Sequence, residues 1–177
     1  MRDQRFVAVH RGGPLTKDHH LQLIRWAREC SEHVVPLIGE DIDPRLMHTL
    51  SVAGAWEHEK ATVCEARKAS VGTHAAARET SDSVITTVAR SIGHAVATAH
   101  MADHAIGAAE YALKAVKLSG KSVEDERKWQ DEKLTSDISE LILTARKKKK
   151  LKLSTKKNEQ TPDTRSCREC SALSTKN

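Results

Sequence analysis

From residue 18 to about residue 147 the apolar side chains recur every three or four positions, and nowhere does the chain sustain the period-two alternation that a strand needs. That pattern predicts an all-α fold, a single bundle of six or seven helices. The first helix begins near Asp18, a capping residue, and runs to about Val35 before Pro36, with Leu23, Trp26, Ala27, Cys30 and Val34 on one face. Asp43 followed by Pro44 is a cap with a first-turn proline, so a second helix is expected over about 44–59, with Leu46, Leu50, Ala53 and Trp56 or Glu57 in period. A third, over about 61–80, carries Cys64, Val71 and a row of alanines, after which Ser81 and Asp82 offer a new cap. Residues 82–118 are helical in character throughout. As one rod they would measure about 55 Å at 1.5 Å per residue, too long for a body whose radius of gyration is about 14 Å. A break is therefore expected between Thr98 and Asp103. Gly120 closes that stretch, and 123–147 holds two further helices, one around Trp129 and one containing Leu134, Ile138, Leu141 and Ile142.

Aromatic residues make up only 3% of the chain. An interior rich in alanine and poor in rings requires close helix contacts, with Trp26, Trp56 and Trp129 as its largest fillers. Cys30 and Cys64 fall inside helical patterns and are expected as small apolar residues. Residues 1–17 form an irregular leader that turns at Gly12-Gly13-Pro14, residues 18–147 the helical domain, and residues 148–177 a disordered, lysine-rich tail.

The net charge of +5 is unevenly placed. Residues 146–177 hold eleven basic and three acidic side chains, which leaves 1–145 at a net −3. The basicity belongs to the tail, so nucleic acid is left only the tail to contact, through RKKKKLKLSTKK at 146–157. No run of eighteen apolar residues is present, and MRDQRFVAVHRGG has charges where a signal peptide needs an apolar core. A soluble, cytoplasmic protein with no membrane contact is the expectation.

His100 and His104 are four apart, the spacing zinc enzymes use on a helix, and Asp103 lies beside them. A metal-binding helical protein built on His100, Asp103 and His104 is thus one reading. Against it, Met101 stands where a metalloprotease places its glutamate, and His94 lies about 240° round the helix from His100. The plainer reading is histidines bonded to neighbouring carbonyls or acids at a packed junction. Cys167 and Cys170 form a CxxC pair with no further Cys or His in the tail, half of a four-ligand zinc site. HRGGPL at 10–15 is not a phosphate loop, and no catalytic spacing or cofactor motif occurs.

The succession HRGGPLTKDHHLQLIRWARECSEHVVPL, AGAW at 53–56, EARKAS and HAAARE within 65–79, GHAVATAHMADHAIGAAEYALKAVK at 93–117 and ERKWQDEKL at 126–134 resembles a family of small all-helical immunity proteins. These form the fifth class of bacterial polymorphic-toxin immunity proteins. The resemblance implies a non-enzymatic binder that neutralises a cognate protein toxin by direct contact, with no cofactor and an open oligomeric state. The matching positions His33, Arg67, Arg78, His94, His100, Asp103, His104 and Trp129 become candidates for structure first and partner contact second. Two features depart from the family: Thr135 replaces a common proline before the last helix, and the lysine-rich tail has no counterpart.

Overall fold

Thr16, rather than Asp18, opens the first helix: its hydroxyl accepts the His19 amide at 3.2 Å. The structure, a computed structural model, describes the backbone of residues 3–158 and side chains as far as residue 149. Among the described residues there are seven α-helices and no strand: α1 Lys17–Val34, α2 Pro44–Glu57, α3 Val63–Glu79, α4 Ser83–Ala97, α5 His104–Leu118, α6 Val123–Glu132 and α7 Ser136–Asn158. Their starts follow the side-chain chemistry. Asp43 caps α2 with Pro44 in its first turn, Thr62 and Glu65 close a capping box on α3, Asp82 receives the amides of Val84 and Ile85, and Ser122 receives that of Asp125. Each satisfies backbone donors that would otherwise face water or the core without a partner.

The expected break falls at residues 98–103. Tight turns there, such as His100 N–H to Ala97 O at 3.1 Å and His104 N–H to Met101 O at 3.0 Å, fold α5 back along α4. This hairpin is the centre of the molecule; α3 packs on α4, α1 crosses both hairpin helices, and α2 bridges α1 and α3. The packing is close because the buried side chains are small. Ala89, Ala95, Ala105, Ala108, Ala109, Ala112 and Ala115 are all buried, and hydroxyls reach across helices where backbones nearly touch. Ser91 donates to the Ala108 carbonyl at 2.8 Å and lies 2.8 Å from the Ser31 hydroxyl; Ser70 donates to the Gly93 carbonyl at 3.0 Å. Trp26, Ile92, Ile138 and Ile142 fill what alanine leaves.

Three expectations change. The leader has no α-helix, as anticipated, but it is part of the core: an isolated bridge pairs Ala8 with Leu15, and Phe6 and Leu15 are buried at 1% and 3% exposure. Burying a Phe or Leu side chain contributes about 1.5–3 kcal/mol, so this segment helps to hold α1, α5 and α7 together. Cys64, unlike Cys30, is exposed: it lies in the first turn of α3 and is not among the buried residues Ala66, Ala69, Ser70, Thr73, Ala76 and Ala77 of that helix. The last helix does not stop at 147 but continues to Asn158, since lysine and leucine propagate a helix without requiring burial. Cys167, Cys170 and the rest of the expected disordered tail beyond that point lie outside the described residues. No helix among the described residues is long and apolar enough to cross a membrane.

Candidate functional site

Two of the eight singled-out residues meet at the junction of α1 and α6. The His33 ring lies flat on Trp129, centroids 3.7 Å apart, with its Nδ1 2.7 Å from the buried carboxylate of Glu126. Glu126 also receives Gln130 Nε2 at 2.8 Å, and the Gln130 carbonyl receives the Trp26 indole N–H at 2.8 Å. Arg146 from α7 completes the network, bonded to Gln130 Oε1 and Asp131, 5.0 Å over the Trp26 ring. It is only 5% exposed, and burial lowers its pKa. His33 and Trp129 therefore tie α6 to α1, and Arg146 ties α7 to both. Arg146, counted above with the tail, belongs to the body.

The other residues gather on the opposite group of helices, α3 to α5. Because the hairpin reverses the chain, His94 near the end of α4 meets His104 at the start of α5, Nδ1 to Nδ1 at 3.0 Å. Reasoning along a continuous helix set His94 apart from this group; the turn brings it in. The rings of His100 and His104 are 5.2 Å apart, and His74 of α3 approaches His94 edge-on at 5.5 Å. The result is a row of four imidazoles, His74, His94, His104 and His100, crossing three helices. Tyr111 stacks on His94 at 5.2 Å and Arg90 lies 3.3 Å from His74 Nδ1.

Glycine makes the row possible. A Cβ on Gly93 would lie 2.6 Å from the His74 ring, and one on Gly107 would lie 2.8 Å from His94 Nδ1. Each ring thus rests on the bare backbone of the next helix. His74, Arg90 and Tyr111 escaped the sequence reading, although the two helix-interior glycines were the available signal: each costs about 1 kcal/mol relative to alanine, so close approach is the natural reason for them.

Three rings of the row are held below the usual imidazole range, and cations stand near them. Burial pushes His94 down to about 4, aided by His104 and His74. Burial likewise lowers His74, helped by Arg90 and Arg78, and lowers His100, helped by His104, Arg67 and Arg11. Arg67 and Arg78 are exposed, and on α3 they share a stripe with Val71, which is 67% exposed, and His74 at spacings of three and four. Asp103, at the N-cap position of α5, partly offsets the cations at His100. As to metal, His100, Asp103 and His104 do not bring three ligand atoms within reach of one ion among the described residues. The grouping that does is Asp18, His19 and Asp137, at the α1–α7 surface.

The imidazoles are packed against one another and against glycine backbones. No curated protein and no solved structure matches the chain. A family model described as "Imm-5 like putative immunity protein" matches residues 13–137, which takes in α1 to α6 and all eight residues singled out from the sequence. The match spans more than half of the chain, which belongs to this immunity-protein family.

Proposed function

We propose that this protein binds a cognate toxin and blocks it by direct contact, without catalysis, through the face that α3, α4 and α5 share. The family match over residues 13–137 carries this reading. The choice of face rests on the stripe Arg67, Val71, His74 and Arg78: exposed arginines and an exposed valine beside partly desolvated rings are the composition of an interface, where arginine and ring-bearing residues are enriched. The body is acidic in total, but this face is basic, so its partner surface is acidic and electrostatic complementarity favours encounter. Rigid packing of the imidazoles on Gly93 and Gly107 keeps the face preorganised, which lowers the entropic cost of association.

The test is co-expression with a toxin-like protein encoded in an adjacent reading frame. The wild-type chain is expected to restore growth and to co-purify with the toxin, and Arg67→Glu with Arg78→Glu to lose rescue while keeping its melting temperature. Continued killing with the wild-type chain, and no co-purification, would sink the reading.

A further inference from the structure

The leader, the start of α1 and the corner between α2 and α3 surround a cavity of about 660 Å³, within the size range of pockets that accept a ligand or an anchoring side chain. Its floor is apolar and buried: Phe6, Leu15 and Ala102. Trp56 forms a wall, held by the His20 ring at 5.0 Å. At the mouth stand Val9 and Val63, 60% and 39% exposed, large apolar groups left in water on either side of one opening.

His100, the last ring of the histidine row, also lines the cavity. The charge around the opening is positive. Arg11 reaches the His100 carbonyl at 3.4 Å, and the charge of Arg67 acts on the His100 ring. Glu59, also in the lining, is already paired with Lys17, whereas Arg11 has no carboxylate within ion-pair distance among the described residues. An apolar floor with an exposed arginine beside it has the parts of an anchor pocket, in which one side chain carries much of the binding energy and charged neighbours set its register.

We infer that this cavity receives an aromatic or branched apolar side chain of the toxin with a carboxylate close beside it, the side chain entering by Val9 and Val63 and the carboxylate meeting Arg11. The inference rests on the immunity reading and places the anchor at the Arg67 end of the α3 stripe. A second copy of this chain fits poorly, because its own cationic rim would face this one.

The full chain and its toxin decide the matter by calorimetric titration. Val63→Asp and Arg11→Glu, both at exposed positions, are expected to weaken binding at least tenfold without lowering the melting temperature. Met47→Asp, at an exposed apolar position on α2 away from the cavity, should stay within twofold. N-acetyl-phenylalanine, a ring carrying a carboxylate, should at millimolar concentration shift the amide resonances of Thr62 and Ala99, and its neutral amide should do so more weakly. Unchanged toxin affinity in both Val63→Asp and Arg11→Glu, or no shift around the cavity with the fragment, overturns the pocket and leaves the immunity reading standing. A wild-type chain that captures no toxin overturns both.

Discussion

Gly107 and His94 are two residues whose identities only make sense together. Glycine inside a helix sacrifices about 1 kcal/mol relative to alanine, and the ring of His94 occupies the space an alanine methyl would need. Gly107→Ala is therefore expected to destabilise by roughly 1–3 kcal/mol, the cost of overpacking, whereas Gly72→Ala on α3, where a Cβ meets nothing within 4 Å, should stabilise by about 0.5–1 kcal/mol. Paired thermal melts check this, and an equal rise in both would refute the close approach. His94 also makes stability depend on pH. Its pKa is lower folded than unfolded, so the unfolded chain binds the proton first as pH falls through 6.5, and stability declines from there to about pH 4. The loss attributable to this ring is on the order of 2 kcal/mol once its partial exposure is allowed for. His94→Phe, which keeps a ring over Gly107 but cannot titrate, should flatten the melting temperature between pH 6.5 and 4; an undiminished slope would assign the acid sensitivity elsewhere.

The helices divide into those that pattern could place and one whose role it could not. α2 and α4 begin beside side chains that cap them, so Asp43 and Asp82 locate them within a residue or two, and the period alone places the start of α3 as closely. α7 is different. Its apolar residues Ile138 and Ile142 face the core, but its attachment to α6 depends on Arg146, which in sequence is the first of a basic run. Spacing cannot separate that arginine from the lysines after it, since the distinction is made by Asp131 and Gln130 on another helix. A chain ending at Lys149 should melt within about a degree of the full protein, and one ending at Ala145 should lose about 2–4 kcal/mol, because Asp131 and Gln130 are left without the buried cation. Equal stability of the two truncations, measured by chemical denaturation, would mean that the Arg146 network contributes nothing.

At the scale of the whole molecule, the sequence determined the class of fold and the family. Its 3.6-residue period, its caps and its alanine-rich, ring-poor composition admit helices and close packing and little else. The length limit on a rod inside a small body located the break at 98–103, and the motifs from His10 to Leu134 pointed to the immunity proteins that the match over 13–137 bears out. Charge by segment was less informative, because a net −3 for residues 1–145 does not show that Arg67, Arg78 and Arg90 lie near the histidine row. What only the tertiary structure decided is which of the singled-out residues are neighbours. His33 and Trp129, 96 positions apart in the chain, became a stacked pair inside a structural network, while His94 joined His100 and His104 in a row with His74. Periodicity assigns a residue to a face of its own helix, but contact between helices depends on how far each backbone approaches the next. That distance was set by glycines, alanines and one reversal of the chain, acting jointly across segments that no local pattern connects.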